Sequence, residues 1–470
     1  MKVLLPASEV APLIKFGGLG DVIGSLPKAL EKIGVDVDVV VPYYPTVDPK
    51  GSKIYKNMDL HIPFGEKNNI VEVHKTKLPD SNVDVLLFKN AEYFTRGGKS
   101  AFENNVDETE MFSFFDRCVV EYVKARFNTY DLIHCNDWHT GLITHILADE
   151  LDKERPATLF TIHNLMYQGV GGLNLVRELG FTPGSHPLID WDIADGDLNM
   201  LQQGITSSDY ISTVSKTYAK EMLTPEFGGD LCEVLQAREG RITGILNGIN
   251  YGDFPRDFDE TDWLNTKNDA KNKLYIELNL NNSDVPIPLF SFIGRLDGFQ
   301  KGLDILYESI PHILDSGGHF VLLGTGEERW QNKLNEMSEN KRFKGKLSIN
   351  IIFDVDLAVK IYKSSDFLVV PSRYEPCGLI QMIAMHYGTV PVVHGVGGLK
   401  DSVRDGQTGI IFEEYTSDSL KKGIDRAFEV YSGHARFEMV QNALKEDFSW
   451  DRSAQEYKNL YKKVIELRNK

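Results

Sequence analysis

Cysteine is scarce in this chain, and its spacing excludes two common kinds of site. The 470 residues contain four cysteines, and no two of them have CxxC or metal-clip spacing. We therefore expect neither a disulfide framework nor a structural zinc site, and the composition favours a reducing, cytoplasmic compartment.

Long apolar runs and an excess of basic residues are also missing. No apolar run approaches the roughly 20 residues that a membrane helix requires, and a strand-like segment follows Met1 at once, so we expect no leader peptide. The net charge is −17, from 51 Lys and Arg against 68 Asp and Glu. This charge argues against nucleic acid or an anionic membrane as partner, but it permits a local basic pocket for a phosphorylated small molecule.

What the sequence does contain is a repeated alternation of buried-strand and helical patterns. That alternation predicts doubly wound parallel sheets, and the length predicts two domains. We place the domains at residues 1–253 and 254–449, with a helix over 450–470, and interpret 255–284 as the approach to the second domain. The predicted strands are 2–7, 35–41, 83–88, 132–135, 158–162, 210–214, 242–246, 289–293, 320–323, 349–353, 367–370 and 390–393.

The segment 371–379 (Pro-Ser-Arg-Tyr-Glu-Pro-Cys-Gly-Leu) follows one of these strands and precedes a helical pattern. Strand ends in parallel sheets are where such folds bind ligands. The turn therefore presents Glu375 and Cys377 as candidate functional groups. The structural alternative is that Glu375 caps the next helix and Cys377 is a small buried residue.

Two Gly-rich turns share the pattern Gly-Gly-Leu-x-Asp, at 17–21 and 397–401. Each lies between a predicted strand and a predicted helix. Backbone N–H groups at the first turn, together with Lys15, favour an anion. A purely structural turn is the alternative, because the spacing matches neither a Rossmann nor a Walker loop.

Charged and polar residues follow other strand ends. Arg295 and Lys301 would stabilise the charge that develops on a leaving diphosphate, or they form surface ion pairs. Asp137 and His163 lie on separate loops without HxxxH spacing, so we favour contact with a neutral sugar over a metal. Three aromatic residues either stack against sugar rings or pack in the core: Tyr93, Trp138 and Tyr167.

Six motifs together resemble bacterial glycogen and starch synthases, family 5 of the glycosyltransferases. They occur in the family's order and cover nearly the whole chain. The motifs are 15–21 (Lys-Phe-Gly-Gly-Leu-Gly-Asp), 134–139 (His-Cys-Asn-Asp-Trp-His), 161–164 (Thr-Ile-His-Asn), 247–249 (Asn-Gly-Ile), 300–304 (Gln-Lys-Gly-Leu-Asp) and 371–378.

The resemblance implies a GT-B fold, in which two Rossmann-like, doubly wound parallel-sheet domains face an interdomain cleft and the last helix crosses back to the first domain. It implies transfer of glucose from ADP-glucose or UDP-glucose to the non-reducing end of an α-1,4-glucan, with retention and with neither metal nor cofactor. By the same resemblance, the expected catalytic residues are Glu375, Asp137, His163, Arg295 and Lys301. The expected substrate-binding residues are Lys15, Gly17, Gly18, Asp21, Tyr93, Asn164, Asn247, Cys377, Gly378, Leu379, Gly397 and Gly398.

Two retaining mechanisms stay open at this point. A pair of carboxylates about 5–5.5 Å apart would act as in a retaining glycosidase. The family's usual picture instead has the leaving phosphate deprotonate the acceptor, while the backbone oxygen of His163 stabilises the sugar cation. We favour the second.

The sequence departs from the family pattern in four places. One extra residue separates Arg295 from Lys301, and Phe353 stands where the family has a tyrosine near the nucleotide base. Segment 107–112 differs from the family's Asp-Asn-x-x-Arg-Phe, and Ile383 stands where related transferases carry a second glutamate. Rival functions are a transferase with a small acceptor, a non-catalytic glucan-binding protein and a pyridoxal-phosphate-dependent glucan phosphorylase.

Overall fold

The computed structural model describes residues 1–95, 107–182, 184, 186–258, 262–283 and 285–470. The polar, Gly-containing stretch 90–107, for which the sequence predicts a loop, lies mostly outside this set. The chain divides into two compact units. Unit 1 contains Met1–Gly248 and Trp450–Lys470, and unit 2 contains Ile249–Ser449.

Unit 1 is built on a nine-stranded sheet. The strands of unit 1, among which β8 and β9 lie outside this sheet, are β1 (Lys2–Pro6), β2 (Asp36–Pro42), β3 (Tyr55–Phe64), β4 (Lys67–Lys77), β5 (Asp84–Lys89), β6 (Leu132–Asn136), β7 (Ala157–Ile162), β8 (Val170–Gly172), β9 (Asp197–Asn199), β10 (Tyr210–Thr213) and β11 (Ile242–Gly244). Apart from the last helix of the chain, the helices that the structure describes in unit 1 are α1 (Gly18–Lys32), α2 (Glu108–Ala125), α3 (Gly141–Leu151), α4 (Asn174–Glu178), α5 (Pro187–Asp192), α6 (Met200–Ser207), α7 (Lys216–Glu221), α8 (Pro225–Gly228) and α9 (Cys232–Gln236).

The strand order in this sheet is β11-β10-β7-β6-β1-β2-β5-β4-β3, and β8 pairs with β9 in a separate ribbon. The strands from β11 to β5 are parallel, and β4 and β3 complete the sheet antiparallel. Strands β6 and β7 are buried along their whole length, including the polar residues His134, Asn136 and Thr161. The β3–β4 hairpin was not predicted, although alternating buried residues such as Leu60, Ile62 and Phe64 give it a period of two.

Unit 2 carries a parallel six-stranded sheet in the order β14-β13-β12-β15-β16-β17. Its strands are β12 (Leu289–Ile293), β13 (His319–Leu323), β14 (Leu347–Asn350), β15 (Phe367–Val370), β16 (Val390–His394) and β17 (Ile410–Phe412). The remaining helices of the chain are α10 (Trp263–Glu277), α11 (Leu303–Asp315), α12 (Glu328–Ser338), α13 (Val355–Ser364), α14 (Ile380–His386), α15 (Gly397–Ser402), α16 (Ser417–Ser432), α17 (Ala435–Leu444) and α18 (Trp450–Arg468).

The interpretation of 255–284 as an approach segment was wrong, because α10 lies within it and contributes to the core of unit 2. Trp263 and Lys267 of this helix are buried, and the Lys267 ammonium donates to the carbonyl of Ser365 at 2.6 Å. The helix was missed because its apolar stripe is narrow and Asn and Asp dominate its exposed face.

Helix α18 packs in unit 1, and its residues Trp450 and Tyr457 lie in the core of that unit. The buried ring of His134 on β6 reaches the hydroxyl of Tyr461 at 2.8 Å. In the part of the chain that the structure describes, no helix is long and apolar enough to cross a membrane.

The topology places the motif loops side by side. In unit 1, β1, β6 and β7 are neighbours, so the loops that follow them share one edge of the sheet. In unit 2, the loops after β12, β15 and β16 share an edge in the same way. Polar residues collect at these two edges because parallel strands end on the same side.

Candidate active site

Glu375 is buried at the turn that follows β15. One of its carboxylate oxygens accepts a hydrogen bond from the Lys301 ammonium at 2.7 Å and another from the Ser372 hydroxyl at 2.9 Å. The residue at the N-cap of α14 is Leu379, which makes no side-chain cap. The capping alternative for Glu375 is therefore excluded, whereas Cys377 is buried as its own alternative supposed.

Two glycines allow the loops of unit 2 to approach each other closely. Gly302 has a φ of +68°, and a Cβ there would overlap the carbonyl of Pro371. A Cβ at Gly398 would overlap the carbonyl of Cys377. The Gly398 N–H donates to the Glu375 carbonyl at 3.0 Å, which joins the second Gly-rich turn to the Glu375 turn. Gly378, with a φ of +69°, completes the turn before α14, and Gly397 is the first residue of α15.

Arg295 is held differently from Lys301. Its guanidinium donates to the Gln300 side chain at 2.9 Å and lies 3.4 Å from the Asp297 carboxylate, with half of the side chain exposed. The Gln300 carbonyl in turn accepts from the N–H of Arg373. Lys301 is thus fixed against Glu375, whereas Arg295 remains accessible to a ligand.

The extra residue between these cations lies in a braced loop. The Asp297 carboxylate accepts from the N–H groups of Phe299 and Gln300, and the Gly298 N–H donates to Glu327 at 2.9 Å. Phe299 is 57% exposed and Phe353 is 87% exposed. Both rings at this edge of unit 2 are therefore available to a ligand.

Asp137 is the buried carboxylate at the end of β6. Its φ of +55° is rare for a residue with a side chain. One oxygen accepts from the N–H of His163 at 2.7 Å and of Asn164 at 3.3 Å, which ties the β6 and β7 loops together. Burial raises the pKa of Asp137 to about 7, and the nearby Glu9 carboxylate adds to this increase.

The imidazole of His163 is neutral, because burial lowers its pKa to about 3. The side-chain amide of Asn136 donates to two backbone carbonyls, so its oxygen is the acceptor for His163 Nε2–H at 3.0 Å. His139 is also neutral, with a pKa lowered to about 3 by burial, and its ring stacks on Trp138 at 4.1 Å.

The first Gly-rich turn leads into α1 as predicted. Lys15 and Asp21 form an exposed ion pair at 2.7 Å, and the exposed Gly17 precedes Gly18, the first residue of the helix. The N–H groups of Phe16 and Gly17 donate to the buried carboxylate of Glu9. Sequence reasoning missed Glu9, although a lone acidic residue in the apolar segment after β1 is a usable signal.

Asn247 lies at the end of unit 1. Its side chain is buried, and its Oδ1 has no hydrogen-bond partner among the residues that the structure describes. An unsatisfied buried carbonyl oxygen costs free energy, so this atom is an acceptor prepared for a ligand hydroxyl or for water.

The three candidate stacking residues differ. Tyr93 is buried with its ring stacked on Phe114 at 3.9 Å, so one face is occupied. Trp138 is buried between His139 and the backbone of Gly169, where a Cβ would overlap the indole, so it is a core residue. Tyr167 is 54% exposed and offers a free face.

Comparison with known proteins matches both units to glycosyltransferases. Residues 2–237 match the family model described as the starch synthase catalytic domain, and residues 287–429 match that of glycosyl transferases group 1. The glycogen synthase of Kosmotoga olearia is 40% identical over 489 aligned residues, covering 99% of this chain and 98% of the relative. That of Thermodesulfovibrio yellowstonii is 37% identical, covering 99% and 98%.

Among solved structures, the catalytic domain of starch synthase IV from Arabidopsis thaliana, bound to ADP and acarbose, superposes with a TM-score of 0.87 at 29% identity. The match covers 99% of both chains. The predicted GT-B fold and enzyme class are thereby confirmed. The motifs, the two α/β units and these matches agree that the chain belongs to the glycogen and starch synthase family of glycosyltransferases.

Proposed function

We propose that this chain elongates an α-1,4-glucan with glucose from ADP-glucose, retaining the anomeric configuration. Membership of the family makes the reaction glucosyl transfer to a glucan. The proposal adds the donor nucleotide, the non-reducing end as acceptor and the roles of individual residues.

The observation that carries the proposal is the Lys301–Glu375 pair at the strand ends of unit 2. At this edge the carboxylate can accept hydrogen bonds from the sugar hydroxyls of a nucleotide sugar. The ammonium beside it can contact the diphosphate of the same molecule. Arg295, half exposed in the same loop, supplies a second cation for the leaving diphosphate. Fixed cations stabilise charge that develops in the transition state without a cost of reorganisation at that moment.

In unit 1, Asp137, His163 and Asn247 hold the glucosyl group. One oxygen of Asp137 already accepts hydrogen bonds from two backbone N–H groups. This supports a role in binding the sugar over nucleophilic attack on its anomeric carbon. Lys15, Gly17, Gly18 and Asp21 form the turn that approaches the donor.

The chemistry of the proposed reaction balances without a further reagent. The bond from the anomeric carbon to the diphosphate oxygen breaks, and a bond from the same carbon to the acceptor 4-hydroxyl oxygen forms on the same face. The acceptor proton passes to the leaving diphosphate. The His163 imidazole is neutral at physiological pH and is not available as a cationic acid. This supports proton transfer to the leaving diphosphate over acid catalysis by His163.

ADP-glucose is preferred to UDP-glucose in this proposal because the Arabidopsis neighbour, 29% identical over the full chain, binds ADP. The four cysteines form no disulfide, which supports a reducing, cytoplasmic setting.

The test measures release of nucleoside diphosphate from ADP-glucose and from UDP-glucose, with and without glycogen, and with EDTA added. We expect glycogen-dependent ADP release that is faster than UDP release and survives EDTA. Turnover on a small sugar but not on glycogen would replace the glucan by a small acceptor. Turnover that EDTA abolishes and Mg²⁺ restores would contradict the metal-free mechanism.

A further inference from the structure

Glu9 is a buried carboxylate whose hydrogen bonds end on the first Gly-rich turn. It lies in the segment between β1 and α1 and is 4% exposed. We propose that Glu9 is a positioning residue that fixes the backbone of the turn carrying Lys15, Gly17 and Gly18 in its donor-binding geometry. This inference rests on the proposed function only in assigning the donor to that turn.

Glu9 accepts two backbone hydrogen bonds from the first Gly-rich turn. Its Oε2 accepts from the N–H of Phe16 and from that of Gly17, the latter at 2.9 Å. These two N–H groups stand directly before α1, and the N-cap residue Gly17 has no side chain with which to cap the helix. Glu9 therefore acts as an external cap, and its negative charge is favourable at the positive end of a helix.

Helix α1 has glycines at the positions that lie against Glu9 and Ala11. A Cβ at Gly20 would lie 2.9 Å from Glu9 Oε2, and one at Gly24 would overlap the carbonyl of Ala11. The Ala11 N–H donates to the Gly20 carbonyl at 3.0 Å. Glycine inside a helix is destabilising relative to alanine, so the two glycines indicate that the Glu9 segment must lie against this helix face.

The geometry also couples Glu9 to the rest of the site in unit 1. The Lys15 side chain passes over Gly20, where its Cγ would be 3.2 Å from a Cβ, before its ammonium reaches Asp21. The negative charge of Glu9 also contributes to the raised pKa of Asp137. Glu9 thus contacts the Lys15 turn directly, so that a shift of this turn changes the fit of the donor.

The expected effect follows from the hydrogen-bond count. Glu9→Ala removes both acceptors, and we expect the KM for the nucleotide sugar to rise at least 10-fold and kcat to fall about 10²-fold, as misplacement by an ångström can do. The KM for glycogen should not change. Glu9→Gln keeps the length and one acceptor oxygen, so it should recover much of the loss.

The matched control is Asp116→Asn. Asp116 is also buried in unit 1, but it lies on α2 and its carboxylate accepts the N–H of Leu142 on α3 at 2.9 Å instead of an N–H of the turn. We expect its kcat and both KM values to equal those of the parent at a temperature where it remains folded.

Amide hydrogen exchange supplies a readout that needs no substrate. Exchange at Phe16 and Gly17 should accelerate at least 10-fold in Glu9→Ala and less in Glu9→Gln. Parent-like exchange at both amides together with a parent-like donor KM in Glu9→Ala would overturn the inference. If Glu9→Ala does not fold, Glu9→Gln should still exchange faster than the parent at Phe16 or Gly17, because a neutral amide is a weaker acceptor than a carboxylate, and no acceleration at either amide would overturn the inference. A parent enzyme that protects these amides but does not turn over ADP-glucose would overturn the proposed function and leave the hydrogen bonds of Glu9 intact.

Discussion

Lys301 and Glu375 are 74 residues apart in the sequence, yet the ammonium of one donates to the carboxylate of the other at 2.7 Å. The side chains are 19% and 8% exposed, so the pair is largely withdrawn from water. Removing one partner of a buried pair leaves an uncompensated charge. Each residue is therefore expected to matter for the placement of the other as well as for the reaction.

Glu375→Gln should lower kcat by roughly 10²–10³, because it removes a charge that faces the transferring sugar in the proposed reaction. The amide can still accept from Lys301, so the melting temperature should fall only modestly. Cys377→Ser, a buried neighbour, should have the milder effect on kcat. The measurements are kcat with ADP-glucose and glycogen and a thermal melt.

The control for this variant is Glu277→Gln, which breaks an exposed pair with Lys360 at 2.7 Å on the helices of the same unit. It should leave turnover unchanged, since exposed pairs contribute about 0–1 kcal/mol. Near-full activity in Glu375→Gln would assign Glu375 a purely structural role.

Arg295→Ala and Lys301→Ala should differ. Arg295 is half exposed and bound by Gln300 and Asp297, so its loss should lower kcat by roughly 10² or more with little change in melting temperature. Lys301→Ala should reduce kcat similarly and also destabilise the fold, because Glu375 loses its cation. The affinity for glycogen should hold in both.

Arg342→Ala is the matched control for the two cations, since Arg342 pairs with Asp315 on the exposed surface of the same unit. Its kinetics should match those of the parent. Parent-like turnover in both site variants would mean that the diphosphate binds elsewhere.

Gly18→Ala tests whether the first Gly-rich turn contacts the donor. A Cβ at Gly18 would meet no protein atom within 4 Å, so the melting temperature should not fall. If the donor lies against this backbone, its KM should rise about 10-fold or more, because one misplaced methyl displaces the ligand.

Alanine substitutions at two other glycines are the controls for Gly18→Ala. A Cβ at Gly240 also meets nothing within 4 Å, and Gly240→Ala should change neither kinetics nor stability. Gly398→Ala would collide with Cys377 and should lose both activity and stability. A donor KM equal to the parent's in Gly18→Ala would remove the turn from the donor site.

Asp137→Asn should stabilise the folded enzyme increasingly as pH rises from 5 to 8. The pKa of Asp137 is about 7 in the folded chain and about 3.9 when unfolded. The folded state therefore holds a proton that the unfolded state has lost, and native stability falls as pH rises between these values. The asparagine variant lacks this loss of stability, which amounts to about 4 kcal/mol at most.

Asp209→Asn is the control of opposite sign. Arg155 and the Thr158 backbone N–H outweigh burial and lower the pKa of Asp209, so that it stays ionised from pH 5 to 8. The cost of this substitution should be constant over that range in thermal melts. A difference between parent and Asp137→Asn that is independent of pH would contradict a raised pKa at Asp137.

The sequence by itself determined the elements and their order. Largely apolar runs predicted β6, β7, β12, β13, β15 and β16 to within one residue, because strands buried on both faces have few polar positions. The partly exposed strand β14 was predicted at 349–353 and lies two to three residues earlier, at Leu347–Asn350. Six motifs at strand ends were enough to indicate the family, since parallel strands bring their C-terminal ends to one edge. The β3–β4 hairpin and α10 were missed, as their patterns are weaker.

Only the tertiary structure decided the partners of the motif residues. Two of these contacts, that of Glu375 with Lys301 and that of Trp138 with Gly169, join loops that follow different strands. The third, in which Glu9 holds the Phe16–Gly17 backbone, closes the loop between β1 and α1 on itself. A charged side chain takes the partner that the packing places within about 3 Å. Local sequence predicts which turn carries a side chain, but packing of the sheets and helices decides which neighbouring turn that side chain meets.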